Sequence, residues 1–254
     1  MQDGGFIGEI MDILTSVWLD EKQRMQLNIL QDILIEIFKS NGNEIVFKGG
    51  TAISFFYNGD RFSEDLDFSV KSENAYLNID NAIENLEKTT KHEIINDWES
   101  EIESSKKFRR YFLKFGFGAS DIINIHIDCS IENVILEPEI RELANKYYAA
   151  KIKVMRSEEI LAEKVRAIYT RQKGRDLYDL YFLAVLLKSK VSINLIYEKF
   201  KSYGVKEKYS FYSFEKKIEE LRPYWNDLKN LINNFERFNF DEVKADVLNI
   251  FKNI

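Results

Sequence analysis

Residues 48–70 read KGGTAISFFYNGDRFSEDLDFSV, and the fold of the chain is expected to follow from this stretch. The residues just before it, 44–48 (EIVFK), predict a short strand that runs directly into the paired glycines. Residues 51–57 can then form a helix whose N-terminus faces the glycine turn, and residues 66–70 (LDFSV) predict a second strand. The order strand, turn, helix and strand indicates a mixed α+β fold here.

The second strand brings two acidic residues together. If Asp65, Leu66 and Asp67 are extended, side chains alternate, so both carboxylates project from one face while Leu66 and Phe68 project from the other. Two carboxylates this close raise each other's proton affinity unless a cation lies between them. Hard divalent cations such as Mg²⁺ bind such oxygens and keep positions open for substrate phosphates. The competing interpretation is a solvated acidic turn.

The glycine turn suggests a phosphate site. Gly49, Gly50 and Thr51 follow a strand and open a helix, where a backbone without side chains and free amide groups can approach a phosphate. The alternative is a tight strand-to-helix turn that holds no ligand. Arg61 is interpreted either as a phosphate ligand or as a structural partner of Glu64.

A third carboxylate lies on a strictly alternating strand, residues 123–128 (INIHID). Its isoleucines are expected to face the core, so that Asn124, His126 and Asp128 share the opposite face. Asp128 is the one carboxylate on that face and is the natural third metal ligand, with His126 as a supporting polar residue. Taken alone, the pattern also fits an exposed strand face.

Composition narrows the class of protein. The chain of 254 residues is 45% apolar and has one cysteine, Cys129, which excludes an internal disulfide and fits a reducing compartment. Two histidines and one cysteine argue against structural zinc. No secretory signal or membrane-length apolar run is found, so the chain is expected to be soluble and cytoplasmic, with no membrane partner. The net charge of −6 argues against a nucleic-acid-coated protein, although Lys106-Lys107-Phe108-Arg109-Arg110 could form a local basic patch or a solvated strand start.

The remaining pattern divides the chain near residue 155. Before it, residues 21–40 and 77–91 predict helices, and residues 108–116, 122–130 and 151–155 predict strands, with a turn at 118–121. After it the chain is expected to be helical, over residues 157–172, 175–188, 192–203, about 213–235 and 241–252, the last with Asp241 as its N-cap.

The helical half carries a charged face. Lys164, Ile168 and Arg171 fall at i, i+4 and i+7 of one helix, and Asp176 and Asp179 at i and i+3 of the next. For each single charge the favoured interpretation is a surface salt-bridge network, with Arg175 paired to Asp179 and with Glu159 or Glu163 paired to neighbours.

The run from Lys48 to Ala52 and on through Arg61 to Phe68 closely resembles the opening motif of the AbiEii/AbiGii-type nucleotidyltransferases. These are toxins of bacterial toxin–antitoxin and phage abortive-infection systems, within the DNA polymerase β-like superfamily. The resemblance continues at Ile127-Asp128, at residues 159–167 (EILAEKVRA) and at residues 175–180 (RDLYDL). It implies a nucleotidyltransferase α+β domain over residues 1–155, with a mixed sheet and helices, and a helical bundle domain over residues 156–254 that closes the active-site cleft.

The resemblance also implies roles for individual residues. The metal-binding triad would be Asp65, Asp67 and Asp128, and Lys164, Asp176 and Asp179 would complete the catalytic set. The nucleotide would be bound by Lys48, Gly49, Gly50, Thr51, Arg61, Ser63, Lys164 and Arg175. The implied cofactor is Mg²⁺, or Mn²⁺ in its place, and the implied substrate is a nucleoside triphosphate (NTP).

The implied activity is Mg²⁺-dependent transfer of a nucleoside monophosphate (NMP) from an NTP to an acceptor, expected to be a tRNA or another RNA 3′ end. The protein would be the toxin partner of a cognate antitoxin and serve antiviral defence. Transfer to a protein hydroxyl is the alternative within the same chemistry. A catalytically idle nucleotide-binding partner of an antitoxin is a second class. A two-metal phosphohydrolase is less favoured, because such sites usually recruit histidines and only His126 is near.

Overall fold

The computed structural model describes residues 18–39, 44–89, 95–105, 107–117, 121–252 and 254. The chain divides into two compact units, which are treated separately below. The first unit comprises Met1–Asn58 and Phe62–Met155, and the second comprises Gly59–Arg61 and Arg156–Ile254. Within the described ranges, no helix has both the length and the apolar character needed to cross a membrane.

The first unit is built on a mixed seven-stranded sheet with the order β3-β4-β5-β2-β1-β7-β6. The strands are β1 (Ile45–Lys48), β2 (Leu66–Val70), β3 (Ile95–Ser105), β4 (Phe108–Phe117), β5 (Asp121–Ile131), β6 (Glu139–Ala144) and β7 (Ala149–Val154). β2 pairs with β5, and β1 with β7, in parallel, while the other neighbours are antiparallel.

The two faces of this sheet differ in chemistry. The described residues of this unit contain three helices: α1 (Glu21–Lys39), α2 (Gly49–Phe56) and α3 (Ala75–Thr89). Phe47, Phe68 and Ile127 alternate toward one face and are completely buried, as are Leu30 and Ile33 of α1. Because side chains alternate along a strand, this arrangement leaves the polar residues of β1, β2, β4 and β5 on the opposite face.

The second unit is helical. It contains α4 (Ser157–Thr170), α5 (Gly174–Tyr181), a π-helical turn (Phe182–Leu186), α6 (Ile193–Ser202), α7 (Phe211–Glu219), two 3₁₀ turns (Arg222–Leu228 and Phe235–Arg237) and α8 (Phe240–Phe251). Aromatic rings fill its core: Tyr169 lies 4.8 Å from Phe200 between ring centroids, and Phe214 lies 4.8 Å from Phe251. Edge-to-face and tilted contacts of this kind add to the stabilisation from burial alone.

The predicted fold class, a mixed sheet with helices followed by a helical C-terminal part, is confirmed. The strand predicted over residues 66–70 has the same bounds in the structure. The helix predicted over residues 51–57 is α2, which begins at Gly49, two residues earlier than predicted. β3 and β6 were not predicted, because their sequences, INDWESEIESS and EIRELA, are rich in charge and resemble helical or solvated segments. Both are edge strands, which tolerate charged side chains.

The helical part also departs from the prediction. The single helix predicted over about 213–235 ends at Glu219, and Pro223 then opens a 3₁₀ turn, since proline cannot continue the hydrogen-bond ladder. Asn239, not Asp241, caps α8, where its side chain accepts from the backbone N–H groups of Asp241 and Glu242. The turn predicted at 118–121 and the ends of the helices predicted at 21–40 and 77–91 lie partly outside the described residues.

Candidate functional site

The glycine turn lies directly against one of the predicted metal ligands. Gly49 has a φ of +81°, and a Cβ built on it would lie 2.1 Å from Oδ2 of Asp67. Both the backbone conformation and the lack of space therefore require glycine at position 49. The turn thus holds the backbone at the start of α2 in contact with the carboxylate of β2.

The start of α2 has the character of an anion site. Its N-cap residue, Lys48, makes no side-chain capping hydrogen bond, and its first turn contains no acidic residue. The first amide N–H groups of a helix have no partner within the helix and carry partial positive charge. Gly50 is buried in this turn. Because glycine has no side chain, only its backbone N–H can donate to an anion.

The hydroxyl-bearing residues that were expected to bind phosphate, Thr51 and Ser63, are both buried. Thr51 is completely buried, and its Oγ1 donates to the backbone carbonyl of Asp65. This hydrogen bond ties the first turn of α2 to the residue that precedes β2. Ser63 is buried as well. A contact of Thr51 with phosphate would therefore rest on its backbone N–H.

The three predicted metal ligands lie on neighbouring strands. β2 and β5 pair in parallel with Asp67 opposite Asp128, so these side chains point to the same face. Asp65 precedes β2 by one residue, and its Oδ1 lies 3.3 Å from Nδ1 of His126. The structure thus brings Asp65, Asp67 and Asp128 to one region of the polar face, with His126 as a neighbour of Asp65.

An arginine not predicted as a site residue binds Asp128. Arg110 of β4 lies opposite Asp128, and its Nε and Nη2 donate to Oδ1 and Oδ2 at 2.6 Å each. Hydrogen bonding to Asp128 raises the pKa of Arg110 above its ordinary value. The guanidinium also lies 5.3 Å from the ring centroid of Phe108, a distance at which cation–π attraction contributes.

This pairing bears on how a metal could bind. The carboxylate groups of Asp65, Asp67 and Asp128 fit a hard cation such as Mg²⁺, because carboxylate oxygens are the ligands that such cations prefer. Across the ranges that the structure describes, however, no group of three or more His, Cys, Asp or Glu side chains is arranged to hold a metal ion. Both oxygens of Asp128 are engaged by Arg110. The guanidinium of Arg110 would therefore compete with a cation for the oxygens of Asp128.

Lys48 is held by a buried acid that the sequence analysis missed. Its Nζ pairs with Oε1 of Glu132, and Oγ of Ser69 donates to the same oxygen at 2.6 Å. Both charged side chains are largely buried. Glu132 follows β5, and the alternation of Asp128, Ser130 and Glu132 at every second residue was the signal that could have found it.

In the second unit, the predicted residues of the helical half form a buried cluster. Nζ of Lys164 lies 3.2 Å from Oδ1 of Asp176 and 2.6 Å from Oδ2 of Asp179. Arg61 donates to both oxygens of Asp179, from Nε at 2.8 Å and from Nη2 at 3.0 Å. Arg171 donates to both oxygens of Asp176. Lys164 and Arg171, which were predicted to share one helix face, therefore both contact the carboxylate of Asp176.

Burial and charge oppose each other in this cluster. Burial alone would raise the pKa of Asp176, but Lys164 and Arg171 together hold it well below its ordinary value. Burial acts in the same way on Asp179, and Arg61 and Lys164 lower its pKa. The network is thus buried rather than on the surface. Asp179 pairs with Arg61 and Lys164, while Arg175 lies half-buried in the first turn of α5.

Glu159 and Glu163 of α4 have a buried partner too. Nζ of Lys199 lies 2.7 Å from Oε1 of Glu159 and 2.9 Å from Oε1 of Glu163. Burial would lower the pKa of Lys199, but the two carboxylates more than offset this and raise it. The triad joins α4 to α6, and we interpret it as structural.

Two of the four basic residues in the run that was considered as a nucleic-acid patch are paired with acids. Arg109 pairs with Asp80 at 2.9 Å, and Arg110 pairs with Asp128. Lys106 lies outside the described residues. The two arginines of the run therefore form ion pairs with acidic residues of the first unit.

Comparisons with known proteins agree with this architecture. The model of the family described as "Nucleotidyl transferase AbiEii toxin, Type IV TA system" matches residues 32–247. Among solved structures, JHP933 from Helicobacter pylori is similar with a TM-score of 0.63 and 21% identity, covering 92% of each chain. MenT4, a nucleotidyltransferase toxin from Mycobacterium tuberculosis, is similar with a TM-score of 0.56 and 16% identity, covering 96% of this chain and 98% of that one.

At these identities the structural likenesses establish the fold alone. A comparison with curated proteins gave no match. The family match is different in kind, because it spans most of the chain and includes both the glycine turn and the charged helices. The chain therefore belongs to the AbiEii family of nucleotidyl transferase toxins of type IV toxin–antitoxin systems.

Proposed function

We propose that this protein transfers an NMP from an NTP to an acceptor hydroxyl, with Mg²⁺ or Mn²⁺ held by Asp65, Asp67 and Asp128. The observation that carries the proposal is the position of Asp67, which lies in register beside Asp128 and in contact with the backbone of Gly49. The carboxylate that we propose binds metal and the helix start that we propose binds phosphate are thus immediate neighbours. Such a pair is what transfer from an NTP requires.

Different residues of the first unit would have different roles in NMP transfer. The amide groups of Gly49, Gly50 and Thr51 would bind phosphate oxygens at the start of α2. A bound divalent ion would stabilise the charge on the attacking and leaving oxygens. Lys48 lies next to the same turn, where the buried carboxylate of Glu132 balances its charge, and its role toward the nucleotide stays a prediction. Phosphoryl transfer needs little more than positioning and charge stabilisation, so no nucleophilic side chain is required.

The acceptor we propose is an RNA 3′ end such as that of tRNA, and the modified RNA would account for toxicity that a cognate antitoxin relieves. Transfer to a protein hydroxyl is the second candidate. It is favoured by the net charge of −6 and by the pairing of Arg109 and Arg110 with acids, both of which weaken the case for an RNA-binding patch. The roles implied for Lys164, Asp176, Asp179, Arg61, Ser63 and Arg175 stay predictions.

A labelling experiment tests this proposal. The purified protein is incubated with each α-labelled NTP and Mg²⁺, first with total RNA and then with protein extract, and the labelled product is identified. We expect label on RNA, and label on protein instead would favour the second candidate. Asp67→Asn should reduce labelling by more than about 100-fold without lowering the melting temperature, because the metal loses a ligand.

The matched control is Asp121→Asn, which makes the same change at an exposed position at the start of β5. It should leave labelling unchanged. Labelling and growth arrest that persist in Asp67→Asn would refute the metal-dependent mechanism.

A further inference from the structure

A cavity of about 270 Å³ opens on the polar face of the first unit, beside the candidate site. Its lining includes Val46 and Ser69, which are register partners on β1 and β2. Ser69 follows Asp67 by two residues, so the two side chains point to the same face. Residues 133–138, which follow β5, and Ile140 of β6 form another part of the wall.

One of the lining residues, Glu132, has a buried polar atom that lacks a partner. The Glu132 side chain is only 6% exposed. Its Oε1 accepts from Lys48 and from Ser69, whereas its Oε2 has no hydrogen-bond partner anywhere in the described part of the chain. A buried carboxylate oxygen left unpaired costs on the order of 1–3 kcal/mol or more. A ligand that donates an N–H or O–H to Oε2 would remove that cost.

The rest of the wall indicates what kind of ligand fits. Val46, Val134, Leu136 and Ile140 supply an apolar surface, and the carboxylate of Glu132 supplies a directed acceptor. The cavity is slightly smaller than the roughly 300–1,000 Å³ typical of pockets for drug-sized ligands. The lining also includes charged side chains, those of Glu44, Lys71, Glu137 and Lys153. A flat heterocycle with N–H groups on its edge matches the apolar part of the wall, the Glu132 acceptor and the small volume.

We propose that this cavity binds a nucleobase, whose amino or imino N–H donates to Oε2 of Glu132. The inference rests on the proposed function, because it names the part of a nucleotide that this face of the sheet recognises. The base can belong to the NTP donor or to the 3′-terminal nucleotide of an RNA acceptor. The chemistry of recognition is the same in both cases, and the experiment separates them.

The test uses Glu132→Gln, which keeps an oxygen for Lys48 and Ser69 but replaces an acceptor with an NH₂ donor. Calorimetry measures the binding of the four NTPs and of inorganic tripolyphosphate, which has no base. We expect the affinity ratio between the best and the worst bound NTP to change at least tenfold, while tripolyphosphate affinity changes much less. A site built on hydrogen bonds discriminates strongly when one of them is reversed.

A second arm addresses the acceptor. Short RNAs that differ only in the 3′-terminal nucleotide are compared as substrates with one fixed NTP. A changed preference among these RNAs in Glu132→Gln, with unchanged NTP ratios, would assign the base to the acceptor. Changed NTP ratios would assign it to the donor. Either result supports the inference.

Two further variants keep the test sharp. Glu142→Gln makes the same chemical change at an exposed residue of β6 outside the lining, and it should alter neither preference. Ile140→Trp should fill the cavity from a position that is 65% exposed, so that nucleotide affinity falls while tripolyphosphate affinity remains. This variant carries the test if Glu132→Gln fails to fold.

The outcomes that contradict the inference are distinct from failure of the proposed function. If the unmodified protein binds and transfers nucleotide but Glu132→Gln and Ile140→Trp change no preference or affinity, Oε2 is satisfied by water alone and the inference is wrong. An equal loss for NTPs and tripolyphosphate in Glu132→Gln would reduce Glu132 to a support for Lys48, which also overturns it. An unmodified protein that binds no NTP would overturn both proposals.

Discussion

The backbone of Gly49 lies so close to Asp67 that any side chain at position 49 would displace the carboxylate. Gly204 offers a natural comparison. It also has a positive φ, of +65°, but a Cβ there would meet nothing within 4 Å. Substitutions at the two glycines can therefore be compared: a change at Gly204 strains the backbone alone, whereas a change at Gly49 also produces a clash with Asp67.

We expect Gly49→Ala to destabilise the protein by about 2–4 kcal/mol and to abolish transfer, because strain in the backbone adds to a clash with Asp67. Gly204→Ala should cost only about 1–2 kcal/mol, from the left-handed conformation, and should keep activity. Urea unfolding and the labelling assay measure both. Equal losses of stability in the two variants would show that the contact with Asp67 has no energetic weight.

At Asp128, a single arginine would compete with the proposed metal ion. Arg110 donates to both carboxylate oxygens, and its positive charge opposes the binding of a cation there. We therefore predict that Arg110→Met raises the affinity for Mn²⁺ by about tenfold, a shift of about 1.4 kcal/mol, as measured by electron paramagnetic resonance of bound and free ion. Arg109→Met, which removes the neighbouring arginine from Asp80, is the control and should leave the affinity unchanged. Weaker Mn²⁺ binding in Arg110→Met would mean that Arg110 supports the metal site.

At the scale of elements, the buried charges join α4, α5 and residues 59–61 of the second unit. Lys164 of α4 neutralises two carboxylates of α5, and removing it leaves both with one partner fewer in a dry environment. We predict that Lys164→Met lowers the free energy of unfolding by about 3–5 kcal/mol. Lys217→Met, which breaks a partly exposed ion pair with Glu220, should cost at most about 1 kcal/mol.

The measurement is urea unfolding of both variants. A triphosphate titration alongside it addresses the predicted role of Lys164 in nucleotide binding. If Lys164→Met folds with unchanged stability but loses affinity for NTPs, the residue acts on the substrate and the cluster is not what stabilises these helices.

Elements with a strict period were predictable, and elements whose sequence contradicts their environment were not. The strand at residues 66–70 and the Ile123–Asp128 part of β5 follow from alternation alone. β3 and β6 lie at the sheet edges, where pairing on one side suffices and hydrophobic alternation is not needed. The helix break after Glu219 depended on Pro223, whose effect the helical pattern concealed.

The site was predictable to a similar extent. Alternation predicted the shared face of Asp65 and Asp67, and the register of β2 with β5 places Asp128 beside Asp67. Arg110 could not be assigned, because its partner is set by cross-strand pairing. Glu132 was missed, although it continues the alternation of Asp128 and Ser130. The buried character of Asp176 and Asp179 was missed, since charge spacing on a helix does not reveal what covers it.

At the scale of the whole molecule, the buried acids predict how stability depends on pH. Asp176 and Asp179 have pKa values lowered by folding, so their contribution is complete above the ordinary value of 3.8 and is lost as the pH falls below it. The pKa of Lys199 is raised, so its contribution is present below the ordinary value of 10.5 and is lost only above it. These groups should therefore contribute constant stability between about pH 5 and 9.

We expect the urea midpoint to fall steeply below about pH 4, and Asp176→Asn to flatten that fall while lowering the plateau. Asp121→Asn, at an exposed position, should reproduce the unmodified curve. Urea midpoints measured from pH 2 to 9 provide the comparison. A fall that Asp176→Asn leaves unaltered would assign acid sensitivity to other carboxylates.

The parallel pairing of β2 with β5 has a consequence during synthesis. Asp67 leaves the ribosome well before Asp128, and the two meet only when β5 has been made and inserted beside β2. A nascent chain that ends before Asp121 carries the glycine turn and the first two acids but lacks the strand that supplies the third. If Asp65, Asp67 and Asp128 together bind the metal as we propose, a nascent chain has no complete metal site until β5 has joined the sheet.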